Sequence, residues 1–174
     1  MTEDEKIRAK EIYFKYCCNS FFLHREDDAE EYESYNSSRE DESKWRQEFI
    51  EIWKNRLSAN DLQPLRCLVF AHAGEVLSDV MAMADKAGDG YVKLEYANTI
   101  WELASARSVT PALREQAVEK AARLWRELIE KPFEIFGNTR EIIAPGLQAF
   151  DVATAEEYVR KYVRNMLRHI NHWC

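Results

Sequence analysis

The segment LQPLRCLVFAHAGEVLSDVMAMA (residues 62–84) is the most apolar part of the chain. Asp61 precedes it and can cap a helix, and Pro64 is tolerated in a first helical turn because its missing N–H has no helical partner there. A helix that is apolar on most of its sides belongs inside a fold. The sequence therefore predicts that residues 62–84 form the third helix of the protein, and that this helix is central and the most buried.

Helix-start signals recur on both sides of this segment. A Ser or Thr followed three residues later by Glu, the pattern of a capping box, occurs at residues 2–5, 37–40 and 154–157. Thr110 followed by Pro111 is an N-cap with proline at the first helical position. Helices are predicted at residues 2–22, 37–57, 62–84, 91–106, 110–131 and 154–170.

Composition agrees with an all-α fold. Gly (5) and Pro (4) are scarce among the 174 residues, whereas a β-rich fold needs many turn residues. A chain of this length holds one good core. We therefore predict a single helical domain over residues 1–174, an all-α bundle of about six helices. Two parts of it are predicted to be connections, an acidic one at 23–37 and an irregular one at 133–152, in which REIIA (residues 140–144) could add a turn of helix.

The net charge of −7 and the cysteine pattern disfavour several classes of function. Phosphate backbones and anionic membranes repel an acidic chain, so nucleic-acid and membrane partners are not expected. The cysteines, Cys17, Cys18, Cys67 and Cys174, include no C-x-x-C pair, which argues against zinc-knuckle and thioredoxin-like sites. The charged start MTEDEKIRAK and the lack of an apolar run of about 18 residues predict a cytoplasmic protein with reduced thiols.

The acidic connection is the strongest candidate for a binding surface. Six acids fall within eight residues, and no predicted helix start needs them. A solvated connection is the simpler interpretation, and a metal site is a third alternative. A binding surface would use the acids to steer a basic partner and the tyrosines to anchor it. The candidate residues are Glu26, Asp27, Asp28, Glu30, Glu31, Tyr32, Glu33 and Tyr35.

The loop DKAGDGYVKLEY (residues 85–96) resembles an EF-hand calcium loop. Asp85 matches position 1 of that loop, and Asp89 with the glycine after it matches positions 5 and 6. Ala87 and Tyr96 stand at two positions where the loop should supply ligands, so oxygens that calcium needs are missing. The simpler interpretation is a glycine-containing turn between two helices.

His72, Glu75 and Asp79 are spaced three and four residues apart, which would put them on one face of the predicted third helix. As a functional site they would be metal ligands or a His–carboxylate acid–base pair. The simpler interpretations are a polar stripe, or pairing with an arginine of a neighbouring helix.

The last predicted helix carries two further candidates. His169 and His172, with the terminal cysteine, are an alternative metal site. Arg160, Arg164 and Arg168 form a basic stripe with a spacing of four residues. Such a stripe can contact nucleic acid, although positive charge near the C-terminus of a helix is favourable in itself.

Catalytic motifs are missing from the sequence. No dinucleotide-binding, phosphate-binding or nucleophile-elbow motif occurs, and no Glu stands three residues before a His as in ferritin-like di-iron sites. We therefore expect a non-enzymatic interaction protein that binds a basic protein through the acidic segment, without a cofactor. Its composition is that of small acidic inhibitors that neutralise a toxin or nuclease, such as immunity proteins.

Two other functions stay open at this point. One is a metal-dependent enzyme or metal sensor, built on His72, Glu75 and Asp79 or on the histidines at the end of the chain. The weaker one is nucleic-acid binding through the arginine stripe. Five tryptophans are also available for a homodimer interface.

Overall fold

The polypeptide winds through ten α-helices and one 3-10 helix (Gly74–Val76) in the computed structural model, which describes residues 2–150 and 152–170. No strand occurs in these described residues, and the helices pack into a single compact body, so the all-α prediction is confirmed. The α-helices are α1 (Glu3–Lys15), α2 (Ser20–Leu23), α3 (Ala29–Ser34), α4 (Arg39–Lys54), α5 (Gln63–Phe70), α6 (Leu77–Ala84), α7 (Gly90–Ala104), α8 (Pro111–Glu130), α9 (Gly137–Phe150) and α10 (Ala155–Ile170).

The predicted helix starts are confirmed at both ends of the chain. Thr2 and Glu5 form a reciprocal capping box at the start of α1, with N···O distances of 2.6 and 3.3 Å. Thr154 caps α10 through the backbone N–H of Glu157, 3.1 Å away. At α4 the capping side chain is Ser38, one residue later than predicted.

The centre of the fold is α7 rather than residues 62–84. Ten of its fifteen residues are buried, and it packs against α5, α6, α8 and α10. Trp125 of α8 is fully buried and donates its indole N–H to the side-chain oxygen of Asn98 on α7, at 3.2 Å. The buried face of α8 therefore packs along α7, and α5 and α6 also pack against α7.

Residues 62–84 do not form one helix, because the chain reverses its local conformation at His72. The φ angle of His72 is 49°, in the left-handed region. The N–H of Ala73 donates to the carbonyl of Leu68 at 3.0 Å, and the N–H of His72 donates to that of Val69 at 2.9 Å. These two bonds are those of a Schellman motif, which terminates α5. The segment is thus split into α5, the 3-10 turn and α6.

The predicted first helix is also split by a Schellman motif. Cys17 and Cys18 have φ angles of 52° and 56°. The N–H of Cys18 donates to the carbonyl of Tyr13 and that of Cys17 to the carbonyl of Phe14, both at 2.9 Å. Asn19 then caps α2 by accepting from the second N–H of that helix, at 3.1 Å. The chain therefore leaves α1 in a new direction before the acidic segment begins.

Both predicted connections contain helices, and in the irregular one the helix extends beyond the single turn expected at REIIA. The acidic connection holds α3, and the irregular connection holds α9. The start of α9 is fixed by Asp89, whose Oδ2 accepts from the Phe136 N–H at 2.6 Å and from the Thr139 hydroxyl at 2.7 Å. The segment before α9 passes close to Gly90. A Cβ atom at this position would lie 2.1 Å from the ring of Phe133, so glycine leaves room for the ring.

Candidate functional site

The acidic segment is held onto α1 by ion pairs. Asp28 accepts from the ammonium group of Lys15 at 2.5 Å and from the hydroxyl of Tyr16 at 3.0 Å. The hydrogen bond from Lys15 is the main reason why the pKa of Asp28 lies below its usual value. This acid therefore stabilises the fold and is not free to meet a partner.

Glu31 and Glu33 are also engaged within the chain. The guanidinium group of Arg8 donates to Glu31 at 2.8 and 3.2 Å, and this contact lowers the pKa of Glu31. Tyr35 donates its hydroxyl to the same carboxylate at 2.9 Å. Glu33 lies 3.0 Å from Nδ1 of His24. Three of the six predicted acids, Asp28, Glu31 and Glu33, are thus engaged by side chains of this chain.

Tyr32 belongs to the core rather than to the surface. It is 6% exposed, and its ring stacks on that of Tyr13 with 5.9 Å between the centroids. Its hydroxyl donates to Glu42 at 2.6 Å, and burial raises its pKa. A partner cannot use this ring as an anchor.

Besides Glu33, which lies beside His24, three acids of the segment are exposed, namely Glu26, Asp27 and Glu30. Within residues 2–150 and 152–170, no side chain forms an ion pair or hydrogen bond with any of these carboxylates. They are the part of the predicted site that a basic partner can reach.

An exposed cluster of phenylalanines adjoins these acids, and sequence reasoning missed it. Phe21 is 58% exposed, Phe70 41% and Phe22 38%. Phe22 meets Phe21 and Phe70 edge to face, with centroids 5.5 and 5.2 Å away. The guanidinium group of Arg25 lies 4.1 Å above the ring of Phe21. The sequence pattern predicted Phe21 and Phe22 as the last residues of a helix over 2–22, and gave no indication that their rings are exposed.

A cavity of about 190 Å³ has two of these phenylalanines, Phe22 and Phe70, and one of the acids, Glu26, in its lining. We call the exposed phenylalanines and the three unpaired acids the aromatic–acidic surface. Its members are Phe21, Phe22, Phe70, Glu26, Asp27 and Glu30. The cavity is lined by Lys15, Tyr16, Cys17, Phe22, Glu26 and Phe70.

The three candidate metal ligands of the predicted third helix do not share a helical face. His72 is exposed in the turn after α5, because the left-handed break removes the helical spacing. Glu75 accepts from Arg46 of α4 at 2.6 Å, and Asp79 lies 3.7 Å from Lys54. The simpler interpretation, pairing with an arginine of a neighbouring helix, is confirmed for Glu75.

No three His, Cys, Asp or Glu side chains in the described part of the chain are arranged to hold a metal ion. In the loop that resembles an EF-hand, Asp85 pairs with Lys120 at 2.5 Å and with Arg123 at 3.3 Å. Asp89 turns inward and caps α7. His172 and Cys174 lie outside the described residues, as does the side chain of His169.

The arginine stripe is only partly free. The guanidinium group of Arg160 lies 5.4 Å above the ring of Phe133, and its Nε atom is buried without a hydrogen-bond partner among the described residues. Arg164 and Arg168 are exposed on α10. The stripe therefore offers two accessible arginines rather than three.

Glu95 of α7 is a half-buried carboxyl group that sequence reasoning did not single out. Burial is the largest effect on it and raises its pKa, while Arg66 and hydrogen bonds from Tyr91 and Asn98 act in the opposite direction. The raised pKa follows from the burial of Glu95 on α7 and not from a sequence motif.

Comparison with protein families, curated proteins and solved structures gave no match. Across the described residues, the helices are too short or too polar for any of them to cross a membrane. The aromatic–acidic surface is therefore the feature on which a functional proposal must rest.

Proposed function

We propose that the protein is a non-enzymatic interaction protein that binds a basic protein segment through the aromatic–acidic surface. The observation that supports this most is the cavity in which Phe22 and Phe70 stand beside the unpaired carboxylate of Glu26. An apolar side chain flanked by Lys or Arg would fill the cavity and meet the acids at the same time.

The aromatic rings would provide most of the affinity. Full burial of a Phe side chain is worth about 1.5–3 kcal/mol, so covering the exposed part of each ring contributes about 1 kcal/mol. Exposed aromatic rings in mutual contact are typical of binding surfaces, whereas single exposed apolar residues are normal. Phe22 contacts both Phe21 and Phe70, so the three rings form one cluster.

The charges around the cavity favour a basic partner. Lys15 is committed to Asp28, and Arg25 lies over the Phe21 ring. The carboxylates of the surface have no such engagement within the described chain. Acids placed in this way speed association and select against acidic partners more than they add affinity. The acidic composition suits an inhibitor that neutralises a basic toxin or nuclease.

Site-specific photo-crosslinking tests the aromatic half of the surface. A photoreactive phenylalanine analogue would be placed at Phe21, and in a matched control at Ile7, which is 52% exposed on α1. We expect a basic protein to be crosslinked at position 21 through a peptide rich in Lys or Arg. Phe70→Ser should weaken this crosslink by about tenfold, since an aromatic anchor contributes 1–2 kcal/mol or more.

Two results would contradict the proposal. One is a crosslink yield at position 21 no higher than at position 7. The other is an unchanged yield in Phe70→Ser while its far-UV and near-UV circular dichroism match those of the wild type.

A further inference from the structure

Cys17 and Cys67 come together from two parts of the chain. Cys17 lies in the left-handed turn after α1, and Cys67 lies on α5. Their sulfur atoms are 3.9 Å apart, in hydrogen-bond contact. The fold brings these two thiols together across 50 positions of the sequence, which the spacing of the cysteines did not show.

The two thiols differ in access. Cys17 is half-buried and lines the 190 Å³ cavity, whereas Cys67 is 7% exposed. The contact with Cys67 lowers the pKa of Cys17, and the same contact together with burial raises the pKa of Cys67. An accessible thiol with a lowered pKa beside a shielded second thiol is the arrangement of redox-sensing cysteines.

Cys18 provides a contrast within the same turn. It is 7% exposed, and burial raises its pKa to about 12. It is therefore the thiol that should not react, although it is the direct neighbour of Cys17.

We propose that Cys17 and Cys67 form a reversible disulfide when a hydroperoxide enters the cavity. The Cys17 thiolate attacks the terminal peroxide oxygen, so that an S–O bond forms and the O–O bond breaks. The leaving alkoxide takes the proton that Cys17 had lost and becomes an alcohol, or water if the oxidant is hydrogen peroxide. Cys17 is then a sulfenic acid.

The second step closes the bridge. Cys67 loses its proton and attacks the Cys17 sulfur, the S–S bond forms and the S–O bond breaks. The departing hydroxide takes that proton as water. Two thiols have then lost two electrons to the peroxide. A bond length of about 2.05 Å requires the sulfurs, now 3.9 Å apart, to approach by about 1.9 Å.

This inference is independent of the proposed binding function. It rests on the two sulfur positions and the cavity, and holds whether or not the aromatic–acidic surface binds a partner.

Peptide mapping of the full chain after treatment with hydrogen peroxide tests it. Free thiols would be blocked with N-ethylmaleimide, and the protein would be digested with trypsin. We expect peptide 16–25 to be linked to peptide 67–86, and the link to disappear on reduction with dithiothreitol. Peptide 16–25 contains both Cys17 and Cys18, so the mapping is repeated in Cys18→Ser, where the link should persist.

The single variants distinguish the roles of the two thiols. In Cys67→Ser, oxidation should stop at the sulfenic acid on Cys17, which dimedone traps. Cys17→Ser should lose the link and leave Cys67 unmodified. Cys17→Gly gives the same readout with a residue that favours the left-handed turn, in case the serine variant does not fold.

The proposal is overturned if peroxide yields no link between these peptides in the folded wild type. A link that survives in Cys17→Ser, or one made to the terminal peptide 169–174 in place of 67–86, overturns it equally.

Discussion

Asp89 joins the start of α7 to the start of α9 through one buried carboxylate, which is 1% exposed. Its Oδ1 accepts from the N–H groups of Tyr91 and Val92 at 2.8 and 3.0 Å. Its Oδ2 accepts from the N–H of Phe136 and from the hydroxyl of Thr139. A carboxylate with four donors holds two helices in a fixed relation.

Replacement of Asp89 by alanine should lower the free energy of unfolding by about 3 kcal/mol. The variant loses an N-cap, worth about 1 kcal/mol, and leaves the Phe136 N–H and the Thr139 hydroxyl without their acceptor. Asp61→Ala is the control, because Asp61 is exposed and accepts one bond, from the Gln63 N–H. It should cost no more than about 1 kcal/mol. Equal costs in urea titrations of the two variants would refute the assigned role of Asp89.

The carboxyl group of Glu95 makes stability depend on pH. Because burial raises its pKa in the folded state, the folded protein holds this proton more tightly than the unfolded chain does. Its contribution therefore favours folding least at neutral pH and rises as the pH falls toward 4.5, its usual value.

Glu95→Gln should accordingly be more stable than the wild type at neutral pH. The difference should grow as the pH rises from 4.5 through the raised pKa, and should vanish in more acidic solution. Thermal melting at several pH values measures it, with Glu115→Gln at an exposed position of α8 as a control for the loss of a charge. A Glu95→Gln variant that is less stable at every pH would show that Arg66 outweighs burial.

At the scale of single elements, two helix ends explain most of the difference between the predicted and the observed fold. Schellman motifs terminate α1 and α5, and their left-handed positions carry Cys17 and His72 instead of glycine. A sequence pattern predicts such an end from glycine, so neither was expected. Helix starts were predictable because Thr2, Thr110 and Thr154 act through local contacts.

His72→Gly should stabilise the protein by about 0.5–1 kcal/mol. A left-handed residue with a Cβ costs roughly 1–2 kcal/mol, and the added freedom of glycine in the unfolded chain offsets part of the gain. His72→Val should destabilise it by about 1 kcal/mol or more, because β-branched residues resist this conformation. A continuous helix over 62–84 would give the opposite sign for glycine, a loss of about 1 kcal/mol, in a urea titration.

The helix α3 and most of α9 were not predicted, because tertiary contacts hold both helices. Arg8 and Lys15 of α1 fix the acids of α3. Asp89 fixes the start of α9, and Arg140 of that helix pairs with Glu156 of α10. None of these partners is close in sequence to the helix it supports. The acidic candidates are visible in the sequence. Their division into paired and unpaired acids was not predictable, because the pairing partners are distant in sequence.

At the scale of the whole molecule, ion pairs join α1 to α3 and α4. The α4 contacts are Lys6–Asp41 and Lys10–Glu48, both at 2.6 Å. The α3 contact is the ion pair between Arg8 and Glu31. The lowered pKa of Glu31 means that its ionised form favours the folded state. That contribution is complete above its usual value of 4.5 and is lost as the pH falls through the lowered pKa of the folded state.

Glu31→Gln should therefore lower the urea midpoint at neutral pH, and the difference from the wild type should disappear in strong acid. Glu30→Gln is the matched control, since it changes the adjacent, exposed and unpaired acid. Its midpoint should match that of the wild type at both pH values. If the two variants behaved alike, the division of the acidic segment into structural and free acids would be wrong.

The central claim is that Glu26, Asp27 and Glu30 serve a basic partner while the other acids serve the fold. The direct measurement is quantitative capture from the native cell at low and high salt. It compares the wild type, Glu26→Gln/Asp27→Asn/Glu30→Gln, and a charge-matched control on α8, Glu115→Gln/Glu119→Gln/Glu130→Gln. The control residues are likewise exposed.

We predict that one basic protein is retained at low salt by the wild type and by the α8 control. The variant of the aromatic–acidic surface should retain it at least about tenfold less, and high salt should release it from every bait. Equal retention by all three proteins, or no basic protein retained by the wild type, would contradict the claim.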